Sequence, residues 1–274
     1  VLYIVSRVTQ ITGNPAPSRK SRKSRAWLPP LVLISLFMLW ELGVQAFGVP
    51  AYLLPAPSKV FQTMWAERSS LLDHATITLL ESLAGFTVGN LIAILLAIAF
   101  VENSTIEQIV YPIAVALRTV PIIAIVPILT LLLGNEWQPK VAIAALITFF
   151  PTLVDMIKGL TSPQRELLEL AHVLDANRWY VLRRIRIPAS VPYLFASLRV
   201  AATSAVLGAI VAEWIGSQRG IGYVIVLSTY QFRGDLLYAG IFLAAAMAMS
   251  LFGLVAWTER VVVHWENRTE IGGH

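Results

Sequence analysis

A chain of 274 residues with 57% hydrophobic and only 14% charged residues is too apolar for an ordinary soluble domain, where about 25% of residues are charged. The formal charge is +5 and cysteine is absent, which excludes disulfides, thiolate nucleophiles and cysteine metal sites. The four histidines (His74, His172, His264 and His274) are scattered, and the basic residues flank apolar runs rather than forming the continuous stripe a nucleic acid requires.

The chain opens on Val1, as expected of a fragment or of a start codon other than methionine. Residues 1–26 read as a basic cytoplasmic tail. Ser18 to Arg25 spells SRKSRKSR, with no apolar face to bury, a composition expected of disorder. The apolar run that follows is too long for a secretory signal and lacks a small-residue cleavage site.

Six apolar spans follow, each long enough to cross a hydrocarbon core of about 30 Å. They cover roughly Leu28–Phe47, Ala75–Val101, Ile109–Leu133, Lys140–Ile157, Leu194–Ile215 and Leu236–Val262. The third contains Pro112, Pro121 and Pro127 and is expected to be irregular. The expected fold is therefore an all-α membrane protein of six transmembrane helices. Its membrane domain covers 27–265 and a short cytoplasmic tail covers 266–274.

Cytoplasmic loops carry the excess of Lys and Arg. With the N-terminus inside, the inner segments hold both basic clusters, Arg19–Arg25 and Arg178–Arg186, together with Arg7, Lys158, Arg165, Arg199, Arg260 and Arg268. The outer segments hold only Lys59, Arg68, Lys140, Arg219 and Arg233. Both termini are thus expected inside.

The cytoplasmic connection 161–192 is the longest on that side. Ser162 suits an N-cap and Pro163 the first helical position. Leu167, Leu168, Ala171 and Leu174 recur at helical spacing, while Glu166, Glu169 and His172 lie together on another side. Asp175 ends the pattern. A second short helix carries Trp179, Leu182 and Ile185, ringed by Arg178, Arg183, Arg184 and Arg186, and Pro188 and Pro192 set the re-entry into the membrane. Two short amphipathic helices at nearly a right angle are expected. They fit a membrane-surface element, with arginines on lipid phosphates and Trp179 at headgroup level. They also fit a docking element for a soluble partner.

The same segment resembles the cytoplasmic signature of ABC importer permeases: Glu-Ala-Ala, three residues, Gly, nine residues, Ile, one residue, Leu-Pro. Here it reads Glu169, Leu170, Ala171, then Asp175, and after nine residues Ile185, Arg186, Ile187, Pro188. Leu170 and Ile187 are conservative departures. Asp175 replaces a glycine whose expected role is a left-handed turn, which aspartate tolerates better than most residues, at a cost of about 1 kcal/mol relative to glycine. Further stretches resemble permeases of the nitrate, sulfonate, taurine and pyrimidine-precursor group. These are Leu54–Ser58, Leu117–Pro121 leading to Pro127, and Ala212–Gly216 followed by Gly220–Tyr223. The likeness extends over about 28–265.

The resemblance implies a type I ABC importer permease in the bacterial inner (plasma) membrane. It implies a second permease copy in a homodimer, two ABC ATPase subunits and an extracytoplasmic substrate-binding protein. It implies that the chain is not itself an enzyme and carries no cofactor, with ATP-Mg bound by the partner ATPase. Consistent with that, no G-x-x-x-x-G-K-[ST] phosphate loop occurs. The implied coupling residues are Glu169, Leu170, Ala171, Asp175, Arg178, Ile185, Ile187 and Pro188. The Val211–Tyr223 stretch looks most like the pyrimidine-precursor and vitamin branch, with sulfonate or taurine next.

Ionisable residues inside spans are functional candidates by default. Arg118 is either a pathway cation or a structural anchor of the proline-broken span. Glu213, beside Trp214, is either part of an outer gate or a partner of Arg219. Glu81 is placed to face the outer aqueous mouth, and Asp155 to pair with Lys158 at i+3. Together with Arg118 and Glu213 they form the candidate pathway set. A secondary transporter would need matching helix breaks in two halves, and only the third span shows such a break. A membrane enzyme would need clustered His, Asp or Glu, which the sequence does not offer.

Overall fold

The computed structural model describes residues 27–263, so both predicted tails lie outside the described residues. Among the described residues the chain is entirely helical. Helix α1 is Leu28–Phe47, α2 Pro57–Ala66, α3 Arg68–Glu102, α4 Ser104–Thr119 and α5 Ile122–Leu133. Helix α6 is Gln138–Thr161, α7 Arg165–Val173, α8 Arg178–Val181, α9 Ile187–Glu213, α10 Ile221–Tyr230 and α11 Gly234–Val262. Five spans are single helices and the sixth is the bent pair α4–α5, matching the six expected.

Helices α3, α6 and α9 form the centre of the bundle, with α11 packed against α9 and α10. Small residues allow this close approach. A Cβ on Gly85 would overlap Ala144, and one on Gly89 would overlap the Ala145 carbonyl and Thr148. In a membrane, association relies on such backbone proximity because lipid supplies no hydrophobic drive between helices. Deeper in the same seam Thr152 Oγ1 donates to Asn90 Oδ1 at 2.5 Å, and Asn90 Nδ2 donates to the Phe86 carbonyl at 2.6 Å. Satisfied polar pairs of this kind are the form in which polar groups are tolerated at that depth.

Helix α1 stands at the periphery. Its apolar side chains from Leu31 to Leu42 are largely exposed, as suits a face solvated by lipid. It holds on through Phe37 and Trp40, stacked against Phe242 of α11 with ring centroids 5.9 and 6.0 Å apart. Glu41 reaches across to α2, accepting from the Ser58 N–H at 3.0 Å and the Ser58 hydroxyl at 2.7 Å. A carboxylate at a helix N-terminus satisfies orphan amides and opposes the positive end of the dipole. This fixes the Leu54–Ser58 turn.

The third span is irregular as expected, and two other local expectations are corrected. The third span breaks at Val120–Pro121, with a bend of 104° between its halves, while Pro112 and Pro127 sit inside helices. Ser162 is not the N-cap of α7; it closes the C-terminus of α6. Its hydroxyl donates to the Gly159 carbonyl at 2.8 Å at the end of α6, and Gln164 occupies the position before α7. The second short helix does not turn back before the membrane. Arg178 to Glu213 runs as one continuous helical span through a wide turn at Leu182–Arg186, where the Ile187 N–H bonds the Leu182 carbonyl. Pro188 lacks an N–H and its ring would crowd the carbonyl of Arg184. The widened turn relieves that conflict without ending the helix.

Candidate functional site

The cytoplasmic loop forms one candidate site. Helix α7 ends in a paired turn: the Asp175 N–H donates to His172 O at 3.0 Å and the Ala176 N–H to Ala171 O at 2.9 Å. Asp175 has φ +54°, the left-handed conformation expected of the signature glycine. Asn177 then caps α8, its Oδ1 accepting from the Tyr180 N–H at 2.7 Å. Between the two helices lies a groove of about 450 Å³ lined by Leu167, Leu170, Ala171, Leu174, Tyr180 and Ile185, among others. Ala171 is buried, whereas Leu170 and Leu174 are exposed.

Of the predicted coupling set, Leu170, Ala171, Asp175 and Ile185 line that groove, and the others lie outside its lining. Glu169 is exposed and accepts from Arg165 Nε at 2.9 Å. Arg178 opens α8 and is exposed. Ile187 packs into the inner core with Leu182, and Pro188 is exposed at the start of α9. Arg186 donates to the Leu160 carbonyl at 3.0 Å, tying the loop to the end of α6.

The candidate pathway residues divide. Asp155 accepts from Lys158 at 3.1 Å, the expected i,i+3 surface pair. Arg118 lies in the last turn of α4, its guanidinium 4.5 Å from the ring centre of Phe150 on α6. It lines a cavity of about 190 Å³ that is otherwise apolar.

Glu81 and Glu213 come together with a third residue, Lys140, which sequence reasoning counted only as an outer charge. All three are more than nine-tenths buried. Glu213 does not pair with Arg219 as its spacing allowed. Its Oε1 accepts from Thr78 Oγ1 at 2.6 Å and its Oε2 from the Gly222 N–H at 2.6 Å. Thr78 Oγ1 also accepts from the Ile221 N–H at 2.8 Å, and the Gly220 N–H donates to His74 Nδ1 at 3.0 Å. These bonds clamp the start of α10 against α3. Lys140 donates to the carbonyls of Asn135 and Glu136 at 2.6 and 2.5 Å, and Asn135 Nδ2 donates to the Gly216 carbonyl. The signal for this cluster was present but faint: three charges, each within a few residues of the outer end of a different span.

Comparison with known proteins places this geometry. Residues 89–262 match the model of the binding-protein-dependent transport system inner membrane component. The riboflavin transport system permease protein RibX of Chloroflexus aurantiacus is 34% identical, the match covering 86% of this chain and 89% of that one. The formylaminopyrimidine transport permease protein ThiX of Halalkalibacterium halodurans is 33% identical, over 90% of this chain and 99% of that one. The putative aliphatic sulfonates transport permease protein SsuC of Bacillus subtilis is 27% identical, with 92% of each chain covered. Among solved structures, the MetNI methionine ABC transporter in an inward-facing form matches with a TM-score of 0.57 at 16% identity, covering 73% of this chain and 98% of that one. That likeness is one of fold. With six spans, a cytoplasmic two-helix loop and these relatives, the chain belongs to the family of inner-membrane components of binding-protein-dependent transport systems, as a multi-pass ABC importer permease.

Proposed function

We propose that this permease imports a small organic solute of the pyrimidine-precursor or vitamin type, and that the loop 161–192 couples it to a separate ATPase. The groove between α7 and α8 carries the coupling reading. Elsewhere exposed apolar surface faces lipid along the spans, but Leu170, Leu174 and Tyr180 line a pocket on a loop at the cytoplasmic end, where an apolar surface calls for a protein partner. Glu169 precedes the groove-lining Leu170, pairs with Arg165, and is the residue assigned to meet a basic group of the ATPase. Such a pair gains when it is desolvated on docking. Asp175 sets the angle between the helices, and Arg178, Ile185, Ile187 and Pro188 pass loop movement into α9.

The working assembly is two copies of this chain, two ATPase subunits that bind ATP-Mg, and an extracytoplasmic binding protein that delivers the solute. The cargo class is supported by identities of 34% and 33% to permeases named for riboflavin and formylaminopyrimidine, against 27% to one named for aliphatic sulfonates. Nitrate- and bicarbonate-type anions are the remaining class of the group. Arg118 belongs to the pathway in this reading, its charge held over Phe150 beside the break of the third span.

Affinity capture from native membranes tests the coupling. The wild-type chain is expected to bring down an ATPase, and Glu169→Lys is expected to insert normally but lose it. Wild-type transport by Glu169→Lys would refute the assignment. Calorimetric titration of the cognate binding protein with pyrimidine precursors, riboflavin, taurine and nitrate decides the cargo.

A further inference from the structure

A cavity of about 500 Å³ opens between the two-helix loop and the turn where α3 gives way to α4. Its volume is within the range of small-molecule sites. Glu102 and Ser104 reach it from the span ends, and His172, Arg178 and Arg186 from the loop. It is separate from the groove between α7 and α8, since only Ala176 lines both.

The charges around this cavity do not pair with one another. Glu102 and Arg186 are half-buried and Arg178 is exposed. Among the described residues neither Glu102 nor Arg178 has an ion-pair or side-chain hydrogen-bond partner. Arg186 uses one N–H on the Leu160 carbonyl at 3.0 Å, and a guanidinium has five. A carboxylate and two guanidinium groups that line one small cavity without touching leave the space between them to a ligand of both signs. A simple anion would suit the arginines and be repelled by Glu102. A simple cation would meet the reverse.

A phosphate with an ammonium group a few ångströms away satisfies both walls. The flat guanidinium forks match phosphate oxygens in paired hydrogen bonds, and the carboxylate accepts from the ammonium. The depth also fits. Glu102 ends the apolar run of α3, which puts the cavity at the level where a span leaves the hydrocarbon core. Basic pockets at such helix ends are a form in which membrane proteins hold phospholipid headgroups.

We infer that this cavity binds a phosphoethanolamine group, with the phosphate on Arg178 and Arg186 and the ammonium on Glu102, and that the group bridges the two-helix loop to the ends of α3 and α4. That chemistry has two sources, an aminophospholipid headgroup or a soluble phosphoamine, and the test separates them. The inference goes beyond the function proposed above and depends neither on the cargo nor on the ATPase.

The test titrates the purified full chain in detergent with lipids and reads the bound species by native mass spectrometry. Phosphatidylethanolamine is expected to bind at least about tenfold more tightly than phosphatidylcholine, whose quaternary ammonium has no N–H, or phosphatidylglycerol, which has no cation. Glu102→Gln keeps the side-chain shape and is expected to reduce that preference to less than about threefold. Arg178→Ala, at an exposed position, is expected to weaken all three lipids at least about fivefold. Soluble O-phosphoethanolamine is then added as a competitor. Displacement of the lipid at equal concentration makes the ligand the soluble form, and retention of the lipid makes it a headgroup.

Equal binding of the three lipids, a preference that survives Glu102→Gln, or wild-type affinity in Arg178→Ala overturns the site. If Arg178→Ala loses an ATPase on affinity capture while its lipid binding stays wild-type, this wall belongs to the ATPase and the proposal falls. Lipid binding is read without the ATPase, so failure of the coupling assignment leaves this result unaffected.

Discussion

Thr78→Val tests the clamp on the outer loop directly. Thr78 is fully buried, and its hydroxyl serves both Glu213 and the Ile221 N–H. Valine has nearly the same shape, so the change removes two hydrogen bonds while leaving little cavity. One of those bonds is to a carboxylate, a class worth about 1.5–3 kcal/mol, and the other is neutral, worth about 0.5–1.5 kcal/mol. The Ile221 amide is left buried without its acceptor. A local loss of about 3 kcal/mol is expected, equivalent to roughly 100-fold more frequent opening of the loop. Hydrogen exchange read by mass spectrometry in nanodiscs should show the Ile221 and Gly222 amides exchanging about 100-fold faster. A peptide spanning 93–100, in the inner core, should not change. Acceleration of less than about threefold at Ile221 and Gly222 would mean that Thr78 does not hold the loop.

Three further outcomes are expected. Gly89→Val should push α3 and α6 apart, because the added atoms meet the Ala145 backbone and Thr148. A loss of about 1–3 kcal/mol or more is expected, visible as a lowered thermal midpoint in detergent, and an unchanged midpoint would contradict the close crossing. Asp175→Gly should be tolerated and gain up to about 1 kcal/mol, since φ is +54° there and glycine adopts it without strain; loss of ATPase stimulation in this variant would give the aspartate a role beyond the turn. Gly220→Ala should cost about 1–3 kcal/mol, because φ is +99° and a Cβ would overlap the Glu213 carboxyl group. Trypsin cleavage after Arg219 should then become faster, and an unchanged rate would refute the clamp from its other side.

The spans and the two-helix loop were legible in the sequence. Runs of apolar residues and the spacing from Glu169 to Pro188 are local properties that survive projection onto a line. Asp175 was legible for the same reason: a helix stop with a left-handed residue is specified by a few neighbouring side chains. The reading of Ser162 as a cap and of Pro188 as a break failed because each had a second solution. The Ser162 hydroxyl found the Gly159 carbonyl, and a wide turn absorbed Pro188.

What only the tertiary structure decided is the company each buried charge keeps. Glu81, Lys140 and Glu213 are far apart in the chain and meet because α3, α6 and α9 pack through glycine and alanine. Thr78 gave no sign in the sequence of holding α10, since a threonine in a span ordinarily bonds its own helix. Pairing in a membrane interior is dictated by which groups would otherwise lack a partner, and that is settled only when the helices are in place. The sequence thus established a membrane-spanning permease with a two-helix loop between its fourth and fifth spans. The packing established that Glu213 holds the start of α10 against α3 and that Glu81 and Lys140 are buried beside it.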